Sequence, residues 1–293
     1  MLKKFSYLIY KFVIVLDLLL NKIFNKNIKY YIYDYLRSSN FIRLKHKNST
    51  HMNFFVPSSV TKSRVDNFFN KEPDTLKWID SFKKNENEKI IFWDIGSNIG
   101  TFSIYAAFAH ENIEIHSFEP SPSNLVVLSK NISLNNLEEK ILINQFPLTK
   151  TISENKYLLM KEKKFIEGGA QNSFGENYDF KGEYFKSKTQ YKILGTSIDF
   201  LVNNKILELP DYIKLDVDGI EHVILSGGIN TIKNKKIKSI LIEINENFKD
   251  QFENCKNILT EADFIFKEKN IASSKREKSE NNFMYNYIFE KKI

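Results

Sequence analysis

Residues Phe92–Ser103, with the sequence FWDIGSNIGTFS, carry the strongest indication of a fold class. An apolar strand delivers Asp94 at its carboxyl end, and Gly96 and Gly100 then bracket a tight turn that opens a helix. In a doubly wound α/β sheet, a nucleotide-like ligand binds in the crevice beyond such a strand end. The spacing G-x-x-x-G differs from the G-x-G-x-x-G of dinucleotide-binding proteins. A carboxylate at Asp94 would repel a pyrophosphate but suits an ammonium group, so the turn favours a methionine-like ligand.

A second acidic residue follows the next apolar run. The run Ile113–Phe118 ends in Glu119, 19 residues after Gly100. An acid at the end of the second strand, about 20 residues beyond the glycines, is positioned to accept hydrogen bonds from ribose hydroxyls. Helix capping is the alternative, but Ser121 and Pro122 already supply a helix start. The two strand ends together predict an adenosyl-type ligand.

Apolar runs alternate with segments of helical spacing along most of the chain. The runs are Ile90–Trp93, Ile113–Phe118, Ile141–Phe146, Tyr212–Leu215, Ser239–Ile244, Phe264–Phe266 and Tyr285–Phe289. Such alternation predicts crossover connections and a mostly parallel sheet that is covered on both faces. Residues 151–190 depart from the pattern, being rich in Lys, Gly, Asn and aromatic residues, and are predicted to form an insertion or lid over the sheet edge.

Four ionisable residues follow the run Tyr212–Leu215 within a short segment: Asp216, Asp218, Glu221 and His222. Carboxylates at a strand end can take a proton from an acceptor hydroxyl or bind a hard divalent cation. Asp218 and Glu221 could equally cap the following helix near its positive end.

Two further charged residues lie inside apolar runs. Burying Lys214 or Glu243 without a partner would be costly. We therefore expect Lys214 to pair with a carboxylate on a neighbouring strand, either Asp94 or Glu243.

Several motifs occur in an order that resembles the FkbM-type family of S-adenosylmethionine-dependent methyltransferases, over roughly Ile90 to Phe289. They are WDIGSNIGTFS, SFEPSPSNLVVLSKNISLNN, TSIDFL, YIKLDVDGIEHVILSGG, ILIEINE and NYIF. The resemblance implies an α/β class I methyltransferase (Rossmann-like) fold, with a doubly wound seven-stranded sheet whose last strand is antiparallel. It also implies methyl transfer, usually to oxygen, on glycan, polyketide or related acceptors. The family often has Glu where this chain has Asp218, which leaves the role of Asp218 open.

The residue patterns and the resemblance together define a predicted site. The predicted ligands of S-adenosylmethionine are Asp94, Gly96, Asn98, Gly100 and Glu119. Asp216 is the predicted catalytic residue, as a general base or as a ligand to a divalent metal that acidifies the acceptor hydroxyl. Glu221 and His222 are the next candidates for the catalytic residue. The lid residues predicted to contact the acceptor are Gln171, Asn172 and Ser173.

Three segments are predicted: an amphipathic helix over 1–28, a mixed α/β extension over 29–85, and a methyltransferase domain over 86–293. No run in the chain reaches the ~18 apolar residues of a transmembrane helix. On a helical wheel most apolar side chains of the first helix separate from its lysines, which suits peripheral contact of residues 1–26 with anionic lipid. Packing of this helix on its own domain or on a second subunit is an equal alternative.

The composition and charge of the chain exclude some kinds of binding partner. The 293 residues include 43 Lys and Arg against 36 Asp and Glu, a formal charge of +7. The lysines are scattered and form no basic stripe with aromatic residues, so no nucleic-acid partner is expected. The family resemblance implies a small-molecule or glycan acceptor. The single cysteine, Cys255, excludes an intramolecular disulfide and a multi-cysteine zinc site. We expect a cytoplasmic protein with peripheral contact at the inner membrane face as an option.

Two other classes of function stay open at this point. The first is a catalytically inactive methyltransferase fold that serves as a binding module in surface-glycan assembly, and the intact Asp94, Gly96, Gly100 and Glu119 argue against it. The second is a nucleotide-sugar or dinucleotide enzyme on a similar sheet. The absence of G-x-G-x-x-G argues against the second class.

Overall fold

The computed structural model describes residues 2–46, 50–83, 88–150, 156–272 and 283–292. These form two compact units, one ending at Phe41 and one beginning at Ile42. The boundaries predicted from the sequence lie instead after residues 28 and 85. Among the described residues, no helix has the length and apolar character needed to cross a membrane.

The first unit contains two helices, α1 (Leu2–Phe24) and α2 (Lys29–Ser38). Asp17 of α1 accepts hydrogen bonds from the backbone N–H groups of Ile28 (2.7 Å) and Lys29 (3.1 Å). The first N–H groups of a helix have no partner within that helix, so this carboxylate satisfies donors at the start of α2. The side chain of one helix thus fixes where the next one begins.

Strand β1 (Phe41–Lys45) begins at the last residue of the first unit, and its other residues open the second unit, where it pairs with β2 (His51–Phe55). Three helices follow: α3 (Ser59–Asp66), α4 (Phe68–Lys71) and α5 (Pro73–Asp80). Ser58 and Thr61 form a reciprocal capping box at the start of α3. These elements bury Phe54 and Leu76 in the same core cluster as Phe92. The shared core explains why residues 42–83 belong to the same compact unit as the main sheet.

The main sheet has seven strands. From the first strand of this sheet onward, the elements in chain order are β3 (Ile90–Ile95), α6 (Thr101–Ala109), β4 (Ile113–Phe118), α7 (Pro122–Leu134), β5 (Ile141–Asn144), β6 (Lys156–Glu162), β7 (Asn172–Phe174), β8 (Thr189–Gly195), α8 (Ile198–Asn203), β9 (Tyr212–Leu215), α9 (Glu221–Ser226), α10 (Ile229–Ile232), β10 (Ser239–Asn245), α11 (Lys249–Glu261), β11 (Phe264–Ile271) and β12 (Met284–Lys291). The strand order is β11-β12-β10-β9-β3-β4-β5. The five adjacent strands from β10 to β5 in this order are parallel, and β12 runs antiparallel to both of its neighbours. This confirms the predicted fold class with its antiparallel last strand.

Burial on both faces explains the nearly continuous apolar runs. Every residue of β3, β9 and β10 is buried. Phe92 packs in one core cluster, and its neighbour Trp93 packs in a second cluster. Such burial is typical of parallel strands covered by helices on both sides.

The predicted insertion contains a small antiparallel sheet of order β7-β6-β8. Its residues 151–155 lie outside the described part of the chain. The loop between β6 and β7 is held by Asn124 of α7, which accepts a hydrogen bond from the Gly168 N–H (2.9 Å) and donates one to the Gly169 carbonyl (3.1 Å). These contacts fix the insertion over the carboxyl end of β4.

Candidate active site

A cavity with about 900 Å³ of empty space, its open mouth included, lies beyond the carboxyl ends of the central strands. Its polar lining residues are Arg64, Lys71, Asn98, Glu119, Asn124, Asn172, Ser173, Asp216, Asp218 and Glu243. Its apolar lining includes Ile95, Phe118, Phe146, Leu148, Met160, Phe174, Val217, Ile220 and Ile224. Polar and apolar side chains thus contribute about equally to the lining, which suits a small molecule that has both polar and apolar parts.

The glycine turn after β3 forms one wall of the cavity. Gly96 has a φ of +86°, and a Cβ at this position would lie 1.8 Å from the backbone oxygen of Asp216. Its N–H and that of Ser97 both donate to the Phe118 carbonyl at 3.0 Å. Only glycine therefore lets the turn pass between the ends of β4 and β9. Gly100, with φ +82°, lies outside the cavity lining and turns the chain into α6.

Glu119 lines the cavity at the end of β4. Its side chain is buried, and its Oε1 accepts a hydrogen bond from the Ser121 N–H at 2.8 Å. Burial raises the pKa of Glu119 to about 8 against the opposing effect of that hydrogen bond. The effect of burial thus outweighs the hydrogen bonds that favour the charged form of this carboxyl.

Asn98 and Asp94 differ in their access to the cavity. Asn98 lines it, and its Nδ2 donates to the Gly169 carbonyl at 2.7 Å. Asp94 is fully buried outside the lining, and its Oδ2 accepts a hydrogen bond from Ser103 at 2.6 Å. Burial raises the pKa of Asp94, an effect that the charge of Lys214 opposes. The predicted contact of Asp94 with a cofactor stays a prediction.

Asp216 lines the cavity at the end of β9 and forms an ion pair with Lys214, with Nζ and Oδ2 2.8 Å apart. Burial would raise the pKa of Asp216, but the ammonium of Lys214 outweighs this effect and lowers it. The expectation that Lys214 pairs with Asp94 or Glu243 is therefore corrected, since its bonded partner is Asp216. Asp94 is opposite Lys214 in the β3–β9 register and interacts with it only through charge.

Two further carboxyl groups face the same space. Asp218 has a φ of +67°, and its Oδ2 accepts a hydrogen bond from the Gln171 N–H at 2.6 Å. Ile242 pairs with Leu215, which places Glu243 of β10 level with Asp216. Burial raises the pKa of Asp218, and it raises the pKa of Glu243 well above its usual range. Repulsion from the charge of Asp216 is the next largest cause for both groups.

Glu221 and His222 lie outside the cavity lining. Glu221 accepts hydrogen bonds from the N–H groups of Val217 (2.9 Å) and Gly219 (3.0 Å), and Gln251 also donates to it. Its carboxylate thus holds the loop that carries Asp218. Burial raises the pKa of Glu221 to about 7. Its catalytic role stays a prediction.

His222 packs between two aromatic rings. Its Nε2 lies 3.3 Å from the hydroxyl of Tyr178, and the ring of Phe248 contacts it edge-on. Burial lowers the pKa of His222, so the ring is neutral at pH 7. A catalytic role for His222 also stays a prediction.

Two cations in the cavity lining were missed by the sequence analysis. Arg64 of α3 donates from Nε to the Gly168 carbonyl at 2.7 Å, and Lys71 of α4 pairs with Glu72 at 3.1 Å. Both come from the extension before the main sheet, in segments without any local motif. The lid residues Asn172 and Ser173 do line the cavity, while the side chain of Gln171 accepts a hydrogen bond from Lys163.

A metal site is not evident in the part of the chain that the structure describes. No group of three or more His, Cys, Asp or Glu side chains there is arranged to hold an ion. Lys214 already occupies one side of the Asp216 carboxylate.

Comparison with known proteins identifies a curated relative of this chain. Methyltransferase sdnD of Sordaria araneosa is 30% identical over 151 residues, which are 46% of this chain and 58% of that protein. The chain thus spans less than two thirds of the length of this relative.

Two solved structures are also similar. Methyltransferase FkbM from Methylobacillus flagellatus KT is 12% identical, with a TM-score of 0.43 over 72% of this chain and 47% of that one. Precorrin-6y C5,15-methyltransferase from Geobacter metallireducens GS-15 is 13% identical, with a TM-score of 0.42 over 76% and 87%. Neither likeness, at a TM-score below 0.5, supports a statement about this chain.

The family model of the methyltransferase FkbM domain matches residues 94–266, a range that includes the glycine turn, Glu119, Asp216 and Glu243. The match covers more than half of the chain. The protein therefore belongs to the FkbM family of methyltransferases.

Proposed function

We propose that this protein binds S-adenosylmethionine in the cavity and transfers its methyl group to a hydroxyl oxygen of a glycan or natural-product acceptor. One observation carries the proposal: Glu119 beside the glycine turn and Asp216 beside Lys214 line the same cavity. A carboxyl suited to the hydroxyls of a ribose and a carboxylate suited to an acceptor hydroxyl thus line one cavity.

The residues present fit this cofactor. Asn98 Oδ1 is buried and has no hydrogen-bond partner among the described residues. Glu119 is a buried carboxyl whose Oε1 accepts a hydrogen bond from the Ser121 N–H. Buried acceptors without donors cost free energy, and a ligand rich in hydroxyl and amino donors removes that cost. The ribose of an adenosyl group provides two such hydroxyls for Glu119.

The opposite wall supplies groups suited to methyl transfer. When bound, S-adenosylmethionine supplies an electrophilic methyl carbon on a sulfonium that leaves as a neutral thioether. Asp216, held ionised by Lys214, is placed to accept a hydrogen bond from the acceptor hydroxyl and so orient its oxygen. The lowered pKa of Asp216 makes it a weak base, whereas the raised pKa of Glu243 makes its ionised form the stronger proton acceptor. We assign orientation of the acceptor hydroxyl to Asp216 and acceptance of its proton to the ionised form of Glu243.

Calorimetric titration of the full chain with S-adenosylmethionine, S-adenosylhomocysteine and NAD tests the binding step. We expect the first two compounds to bind and NAD to produce no signal. Binding of NAD, or no binding of either adenosyl compound, would contradict the proposal.

The transfer step is tested with S-adenosylmethionine tritiated on its methyl group and a panel of hydroxyl-bearing saccharides and polyketides. We expect tritium on an acceptor oxygen, and loss of that transfer in Asp216→Asn. Cofactor binding without transfer to any member of the panel would favour the inactive binding module, and tritium on nitrogen or carbon would overturn the O-methyl assignment.

A further inference from the structure

Helix α1 carries a continuous apolar stripe on its exposed surface. The stripe consists of Phe5, Leu8, Phe12, Val15, Leu19 and Ile23, which are each 54–69% exposed. Their spacing of three or four residues places them on one side of the helix. Large contiguous apolar patches are rare on the free surface of a monomer and mark sites of interaction.

A row of cations borders this stripe. Lys4, Lys11 and Lys22 are exposed and are separated by seven and eleven residues. At about 100° per residue these separations keep the three ammonium groups within roughly 20° of one another around the helix axis. The helix thus presents an apolar stripe with positive charge along one edge.

The single acidic residue of α1 does not contribute to that surface. Asp17 is 2% exposed, and it accepts the hydrogen bonds from the start of α2. The ammonium of Lys29 lies 3.5 Å from its second oxygen. Its negative charge is therefore compensated inside the helix pair. Residues 2–41 contain seven Lys and Arg against two Asp, a net of +5 out of +7 for the whole chain.

Helix α2 adds four exposed tyrosines. Tyr30, Tyr31, Tyr33 and Tyr35 are 55–74% exposed. Tyrosine combines an apolar ring with a polar hydroxyl and is enriched where proteins meet the boundary between lipid and water. The α1–α2 pair therefore combines three features of an interfacial segment: apolar side chains, cations and amphipathic aromatic rings.

We infer that the α1–α2 pair binds the surface of an anionic lipid membrane, with the apolar stripe of α1 buried among the lipid chains and its lysines at the headgroups. Charge decides between a membrane and a second copy of the chain. Two copies joined along the stripe would bring together rows of lysine with no exposed acid on α1 to pair with them. An anionic headgroup layer supplies the missing negative charge.

Sedimentation of the full-length protein with lipid vesicles tests the inference. We expect it to sediment with vesicles of mixed phosphatidylglycerol and phosphatidylcholine, and only weakly with pure phosphatidylcholine. Added salt reduces binding because it screens exposed charge beyond about 10 Å at 0.1 M. Failure of the wild-type protein to sediment with the mixed vesicles would overturn the inference.

Two matched pairs of variants locate the contact. The triple variant K4Q/K11Q/K22Q should lower the partition coefficient roughly a hundredfold at low salt, while the control K186Q/K233Q/K235Q loses the same charge elsewhere and should bind like the wild type. L8N/L19N removes apolar area from the stripe, and I206N/I265N is its control. Circular dichroism and S-adenosylmethionine binding verify that each variant is folded.

Equal loss of binding in a variant and its control would show that contact is not confined to α1 and would overturn the assignment. Analytical ultracentrifugation tests whether the stripe instead binds a second copy of the chain. A wild-type oligomer that L8N/L19N dissociates, together with absence of vesicle binding, would replace the membrane with a self-association surface.

Discussion

Glu119 and Asp216 lie on opposite walls of the cavity, and their carboxyl groups are in opposite electrostatic states. At the end of β4, no cation among the described residues is bonded to Glu119, and burial raises its pKa to about 8. At the end of β9, Asp216 is bonded to the buried Lys214, and its pKa is lowered despite burial. One wall thus has a carboxyl that gains from new hydrogen-bond donors, and the other has a permanent anion. Under the proposed function, the first wall would bind the cofactor and the second would position the acceptor.

The largest expected effect is on turnover at the second wall. Asp216→Asn keeps the size of the side chain and removes the charge, so kcat with a verified acceptor should fall about 10²–10⁴-fold. Steady-state kinetics provide the measurement, and Asp66→Asn, on the exposed face of α3, is the control. Turnover near the wild-type rate in Asp216→Asn would remove this residue from the mechanism.

The next effect concerns the ion pair itself. Lys214→Met leaves Asp94 and Asp216 without their shared cation in a buried setting, so the free energy of unfolding should fall by about 3–5 kcal/mol. Urea denaturation measures this value. Lys233→Met, an exposed lysine outside the core, should change it by less than about 0.5 kcal/mol. A loss no larger than that of the control would mean that the pair contributes nothing to the fold.

At the first wall the expected effect is a pH dependence. Ribose hydroxyls that donate to Glu119 favour its carboxylate, so binding lowers its pKa and releases a proton. Affinity for S-adenosylmethionine should therefore rise with pH, by up to about tenfold per unit, and level off above the free-state pKa of about 8. Titration between pH 6 and 9 in buffers of different ionisation enthalpy measures the proton release. In Glu119→Gln this pH dependence of the affinity should disappear. If the variant keeps it, the proton is released by another residue.

The smallest expected effect concerns Glu221, next to the second wall, and distinguishes a structural role of this residue from a catalytic one. Both oxygens of Glu221 accept hydrogen bonds from the loop before α9. Glu221→Gln should therefore lower the melting temperature by a few degrees, the equivalent of about 1 kcal/mol, with a change in kcat of less than about tenfold. A fall in kcat as large as that of Asp216→Asn in a variant of unchanged stability would instead support the predicted catalytic role of Glu221.

The strand pattern and the glycine turn could be predicted because their signals are local. The periodicity of apolar residues identified all seven strands of the main sheet, and the spacing of Gly96 and Glu119 placed both at one crevice. Asp216 was likewise placed beside the turn, because adjacent parallel strands end at the same edge of the sheet. These features depend on short stretches of sequence and on one rule of topology.

The cations of the cavity could not be predicted because tertiary packing brings them there. Arg64 lies more than a hundred residues from the Gly168 carbonyl to which it donates. The partner of Lys214 was misassigned for a related reason: strands were assumed to supply it, but Asp216 follows the strand and folds back onto the lysine two residues away. Glu243 is a cavity residue that the sequence did mark as unusual, because it is a carboxylate inside an apolar strand.

The division of labour between the two walls is tested most directly by one calorimetric titration of S-adenosylmethionine into Glu119→Gln and Asp216→Asn at pH 8. Loss of the ribose contacts should weaken binding to Glu119→Gln by about five- to a hundredfold. Asp216→Asn should retain wild-type affinity, since the glycine turn and Glu119 are unchanged in it. Unchanged affinity in a folded Glu119→Gln variant, or equal weakening in both variants, would contradict the assignment of cofactor binding to the wall formed by β3 and β4.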